Sequence, residues 1–161
     1  MPTLPRSRLL AFALAAIMFI CANAASAAPR PTRHAPIRAL PRPTLGQRAA
    51  AVALRAVGVP YRWGGASPGG GFDCSGLVYW TYGRLGIEVP HSSYALYDRG
   101  WRVTRMKAGD LLFFSGLGHV GIYVGNGRMV HAPHSGARVQ VVSLRRSSYG
   151  GRLVGVRRLL R

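Results

Sequence analysis

The spacing of apolar side chains changes about two-thirds of the way along this chain, and that change limits the folds open to it. Before residue 98 they recur at helical intervals, most clearly at Leu77, Val78, Thr81, Tyr82 and Leu85, which share one helix face. From Asp110 onward they come in short β-rich runs: Asp110 to Phe114, His119 to Val124, Arg128 to Ala132, Val139 to Leu144 and Leu153 to Arg158. Helices followed by antiparallel strands predict an α+β fold. The 161 residues provide for one domain with a modest core, and no internal repeat is visible.

Local signals set the expected helix ends. Thr44-Leu45-Gly46-Gln47 is a capping box, a hydroxyl at the cap and an amide three residues on, and it opens a helix running to about Val57. Gly58 ends that helix and Pro60 blocks its continuation. Tyr61 to Gly71 is glycine-dense and reads as a loop. Asp73 is then a suitable N-cap for a second helix from Cys74 to about Leu85, stopped by Gly86. Gly83 inside it weakens it by about 1 kcal/mol relative to alanine. A short third helix is expected from Ser92 to Asp98.

The first residues read as an export signal. Arg6 and Arg8 precede a twelve-residue apolar run from Leu9 to Ile20, and Ala25-Ser26-Ala27 has the small residues of a cleavage site. The run is shorter than the roughly 20 residues that cross a bilayer, so no stable membrane span is expected once the signal is removed. Cys21 suggests a lipoprotein, but Ile20 before it is large where a lipoprotein signal needs a small residue. Residues 1–27 are therefore read as a signal, 28–44 as a Pro- and Arg-rich linker, and 45–161 as the folded domain. The expected location is outside the cytoplasm, in the periplasm, the cell wall or the medium.

Charge bears on partners more than on chemistry. Of the 22 basic residues all but Lys107 are arginine, against four acids; without Arg6 and Arg8 the chain still carries +16. Such a field attracts polyanions, which for an exported protein means anionic envelope polymers. The signal and the absence of a recognisable binding motif argue against nucleic acid. Arginine-rich coding and simple solvation account for the same composition equally well.

Without residues 1–27, Cys74 is the one remaining cysteine, so it has no disulfide partner within the chain. At a helix start its sulfur faces unpaired N–H groups and the positive end of the dipole, which favour the thiolate that acyl transfer requires. A base is available in the second half. His119 to Val124 and Arg128 to Ala132 flank Gly125-Asn126-Gly127, a hairpin signal. A three-residue loop pairs Val124 with Arg128 and sets His131 opposite Gly121, on the face of His119; a two-residue Asn126-Gly127 turn sets the two rings on opposite faces. In the first case His119 can take the thiol proton while His131 fixes its tautomer. His34, His91 and His134 read as hydrogen-bonded structural or surface residues.

Tyr61-Arg62-Trp63-Gly64-Gly65, Phe72-Asp73-Cys74-Ser75-Gly76-Leu77, Gly109-Asp110-Leu111-Leu112-Phe113-Phe114, His119-Val120-Gly121-Ile122-Tyr123 and Met129-Val130-His131-Ala132-Pro133 together resemble the successive signatures of NlpC-type cell-wall endopeptidases. The resemblance runs from about Thr44 to Leu144. It implies a papain-like α+β fold, with Cys74 as nucleophile, His119 as general base and His131 as orienting residue. It also implies that Tyr61, Asp73 and Ser75 border a cleft for peptidoglycan stem peptides, usually cut between γ-linked D-glutamate and the next diamino acid. The Cys74 N–H and the Tyr61 hydroxyl are candidates for the oxyanion hole. No cofactor or metal is called for. The chain departs from the family after Pro90, where Arg-Thr-Ser and a later glutamine are common but His91-Ser92-Ser93 and Leu96 stand here.

Other readings remain at this stage. The same three residues serve an amidase or transacylase, and a non-catalytic wall-binding protein could keep the cleft. A zinc hydrolase lacks support, since there is no His-Glu-x-x-His and the acids are scattered.

Overall fold

A computed structural model of the chain describes residues 41–159; the expected signal and most of the expected linker lie outside that span. The first helix, α1 (Leu45–Leu54), starts on the capping box: Gln47 N–H donates to Thr44 Oγ1 at 3.2 Å and Thr44 N–H to Gln47 Oε1 at 2.7 Å. It stops before Val57 because the amides of Arg55, Ala56 and Val57 bond to carbonyls three residues back, tightening the chain out of α geometry. Ala49, Ala50 and Ala53 form its buried side, small enough to bring α1 close to its neighbours.

The glycine-dense stretch is more ordered than a loop. It holds a two-strand hairpin, β1 (Ala66–Ser67) and β2 (Gly71–Phe72), that leads directly into α2 (Cys74–Gly83). The end of α2 also tightens early, with Leu85 N–H bonding to Tyr82 and Gly86 N–H to Gly83. Next comes α3 (Ser93–Arg99), capped by the Ser92 hydroxyl.

Six strands form one antiparallel sheet in the order β3-β8-β4-β5-β6-β7. They are β3 (Trp101–Arg102), β4 (Leu111–Phe114), β5 (His119–Gly125), β6 (Arg128–His131), β7 (Gln140–Ser143) and β8 (Leu153–Arg158). Only β3, two residues long, was not expected. Both faces of β4 are covered, which is why it reads as four apolar residues in a row. Leu111 and Phe113 pack with Val120, Ile122 and Val130 against Phe72, Leu77, Val78 and Tyr82 of the helical side. Leu112 and Phe114 pack with Met129 and Val156 on the other side, closed by Leu144 and Tyr149. The fold is thus α+β, with Cys74 opening a helix packed on an antiparallel sheet.

The β5–β6 hairpin combines the two alternatives left open by its sequence. Its turn is the two-residue one: Gly125 pairs with Arg128, and Asn126 and Gly127 hold φ of 51° and 66°, both left-handed as a type I′ turn requires. By itself that turn would separate the histidines. Between Tyr123 and Gly125, however, the register shifts by one, so Val124 is a bulged residue. Beyond it Tyr123 pairs with Met129 and Ile122 with Val130, a register that carries His131 across from Gly121. One bulge therefore restores the face shared by His119 and His131.

Candidate active site

Cys74 is the first residue of α2 and is half-buried. The turn before it is organised by Asp73, whose carboxylate accepts from the Gly76 N–H at 2.6 Å, the Ser75 hydroxyl at 3.0 Å and the Gly64 N–H at 2.8 Å. His91 Nε2 lies 3.1 and 3.2 Å from its two oxygens. Gly76 must be glycine, because a side chain there would enter the Gly65 carbonyl and press on His91 Nε2. Asp73 and Ser75 are therefore buried, each 8% exposed, and their polar atoms are engaged within the turn. Tyr61, the third expected cleft residue, is half-buried and tied down by its N–H to the Ala137 carbonyl.

The sheet supplies the rings. His119 Nε2 and His131 Nδ1 are 2.9 Å apart, with the rings nearly perpendicular at 84°. That bond leaves Nδ1 as the His119 nitrogen available to a thiol. Cys74 meets the sheet at the start of β5: its thiol donates to the carbonyl of Gly118, the residue before His119, at 4.0 Å. The link from β4 to β5 is strained, with Leu117 at a φ of 57° two residues before His119.

The NlpC/P60 family profile matches residues 58–158, a span that holds every one of these side chains. This chain belongs to the NlpC/P60 family. It is 51% identical over 104 residues to a protein of Mycobacterium tuberculosis named a probable endopeptidase, covering 62% of this chain and 27% of that one. It is 40% identical over 117 residues to the murein DD-endopeptidase MepH of Escherichia coli, covering 66% and 43%. It is 41% identical over 110 residues to a γ-D-glutamyl-L-lysine dipeptidyl-peptidase of Bacillus subtilis, covering 63% and 37%. The chain thus matches less than half the length of these relatives. An NlpC/P60 structure from Bacillus cereus superimposes with a TM-score of 0.68 at 33% identity, covering 75% of this chain and 42% of that one.

In this NlpC/P60 chain two residues of the site, Tyr149 and Arg152, carry no sequence signal. Tyr149, from the loop after β7, stacks on His119 (5.3 Å, 26°) and meets His131 edge-on at 4.8 Å, roofing both rings. Phe114 packs on Tyr149 and His119 from the sheet. Arg152 lies over the Tyr149 ring, 5.4 Å from its centre. These three line a cleft of about 260 Å³ together with Gly118, His119 and Pro133. A second hollow of about 170 Å³, between the start of α1 and Asp110, is bounded by the structural Arg158–Asp110 ion pair and holds none of the candidate residues. His91, at the departure from the family pattern, is a hydrogen-bond partner of Asp73 and stacks on Tyr79. Among the described residues no cluster of three or more His, Cys, Asp or Glu side chains could hold a metal, and no helix is long and apolar enough to cross a membrane.

Electrostatics correct one expectation. Burial pushes the Cys74 thiol up, and Asp73 adds to this; the N–H groups of Val120, Ser75 and Cys74 itself pull the other way and lose. The helix start alone does not make this sulfur acidic. Burial also holds His119 down to about 4, helped by Arg152, and His131 down to about 3, helped by His119 and His134. For Asp73 burial favours the neutral acid, but the bonds from Gly76, His91 and Ser75 outweigh it and keep the carboxyl below its usual range. The Cys74 thiol and both rings are therefore uncharged at neutral pH, near an ionised carboxylate.

Proposed function

We propose that this chain is an exported cysteine endopeptidase that cuts peptidoglycan stem peptides, at the bond between γ-linked D-glutamate and the following diamino acid. The observation that carries this is the 2.9 Å His119–His131 pair in an NlpC/P60 domain whose helix-opening Cys74 bonds to Gly118, the residue before His119. The names of the B. subtilis and E. coli relatives support a peptidoglycan substrate, and the first supports the bond.

The roles follow from tautomers. For His119 Nδ1 to accept the thiol proton, its own proton must sit on Nε2 and be donated to His131 Nδ1. As the sulfur attacks the carbonyl carbon, the proton passes from Sγ to Nδ1. The oxyanion forms beside the Cys74 N–H and the Tyr61 hydroxyl, a neighbour close enough that the Cys74 and Asp73 charges add to the effect of burial in raising its pKa. The imidazolium then gives its Nδ1 proton to the departing amine, leaving a thioester, and water activated by the same nitrogen releases the acid and restores the thiol. Tyr61 is the expected cleft residue free to face substrate; Asp73 and Ser75 shape the wall through their hydrogen bonds.

This tautomer requires His131 to carry its proton on Nε2. That atom is fully buried and has no hydrogen-bond partner among the described residues, so the productive arrangement bears an unsatisfied N–H. His131 orients the base at some expense to its own stability.

Export rests on the signal-like residues 1–27, and the arginine excess would hold the enzyme near anionic envelope polymers. The test is digestion of purified muropeptides by wild type and Cys74→Ala, read by mass spectrometry. Products ending in γ-D-glutamate from wild type alone support the proposal. Cleavage between two D-residues would move the bond to that named for the E. coli relative, and identical products from both proteins would remove the peptidase reading.

A further inference from the structure

The residue that leaves with the amine must sit on the His119 side of the sulfur, because the His119 Nδ1 proton is what the departing nitrogen receives. On that side lies the cleft of about 260 Å³ formed by His119, Tyr149 and Arg152. Small-molecule sites commonly measure about 300 to 1,000 Å³, so this one suits a single amino-acid residue.

Resting on the endopeptidase reading, we propose that Arg152 is a specificity residue of this cleft and takes a carboxylate carried by the residue whose amine departs. The guanidinium is prepared for such a ligand. Its Nε donates to the Ser148 carbonyl at 3.0 Å and its Nη2 to the Ser148 hydroxyl at 2.6 Å, while its central carbon sits over the Tyr149 ring, 5.4 Å from the ring centre. These contacts fix one edge of the group and limit the ordering needed on binding. Among the described residues Arg152 is in no ion pair: Asp110 is taken by Arg158 and Asp73 by His91. A fixed, uncompensated guanidinium at the mouth of a one-residue cleft matches the fork of a carboxylate.

The proton chemistry agrees with this. Arg152 opposes the positive charge that His119 must bear while it holds the thiol proton. A carboxylate on Arg152 cancels that opposition just when the substrate is in place.

A carboxylate can reach this cleft from two sources. One is the far end of the diamino acid's side chain, present when that residue is a diaminodicarboxylic acid and replaced by hydrogen in lysine. The other is its α-carboxylate, free when the peptide ends there. The experiment compares kcat/KM for L-alanyl-γ-D-glutamyl tripeptides ending in diaminopimelate, in its side-chain carboxamide and in lysine, each with a free or amidated terminus. Wild type should favour the carboxylate form over its carboxamide by about tenfold or more at the position read. In Arg152→Gln that ratio should fall below about twofold, and in Arg152→Lys it should be intermediate. Changes in folding act on every peptide alike and cancel in the ratio. Equal cleavage of all six peptides by wild type, or an unchanged ratio in Arg152→Gln, overturns this inference and leaves the endopeptidase standing. Failure of wild type to cut any stem peptide sinks both.

Discussion

The two halves of the site are built in opposite ways. On the cysteine side, Asp73 gathers donors from Gly64, Ser75, Gly76 and His91, so each of its oxygens is bonded and its charge is stabilised. On the histidine side, two rings share one hydrogen bond, are kept uncharged by burial, and leave His131 Nε2 without a hydrogen-bond partner among the described residues. The first half is a satisfied polar network that holds geometry; the second keeps two rings uncharged around a single hydrogen bond. Damage to the first should appear as lost structure, and damage to the second as lost chemistry.

The largest expected effect is on the chemical half. His119→Ala should lower kcat/KM on stem peptides by about 10²- to 10⁴-fold, since it removes both the base and the acid, with little change in the denaturation midpoint. A large loss of stability in that variant would blur the division between the halves. Asp73→Ala should show the converse, a loss of about 2 to 4 kcal/mol in urea unfolding. It removes the cap of α2 and leaves the Gly64 and Gly76 N–H groups unpaired.

Acid should separate the halves within one protein. The rings bind protons in the unfolded chain near pH 6.5 but in the fold only near 4 and 3, so the unfolded state takes up protons first as pH falls. Stability should therefore be full above pH 6.5 and decline towards pH 4, by about 3 kcal/mol for His119 alone. Asp73, held below its usual range, loses its contribution only at lower pH. Thermal unfolding across pH 4 to 7 measures this, and a flat profile would show that the rings take up protons in the fold as readily as in the unfolded chain. The smallest effect is expected at His131. Asparagine there can accept from His119 Nε2–H without choosing a ring tautomer, so His131→Asn should keep activity within about tenfold, while His131→Ala falls further.

How much of this was legible in the sequence depended on how local each feature is. The capping box and the Asp73 cap act over three or four residues and formed as expected, and the hairpin signal at Gly125-Asn126-Gly127 also formed, by the two-residue turn of its two alternatives. The Val124 bulge did not announce itself, because it is fixed by which rows of side chains must face the core, and it reconciled a tight turn with a shared histidine face. Tyr149 and Arg152 come from a loop with no periodicity and reach the rings only through the fold. The state of Cys74 was misread for the same reason: a helix start is visible in one dimension, but the burial that outweighs it is not.

The most direct test of an uncharged resting site is the pH dependence of Cys74 alkylation by iodoacetamide, followed with thiolate absorbance near 240 nm. Rate and absorbance should rise together in one step above pH 9, the ordinary thiol value that burial exceeds. A thiolate plateau already present between pH 5 and 7 and lost in His119→Ala would contradict this, showing that sulfur and ring rest as an ion pair.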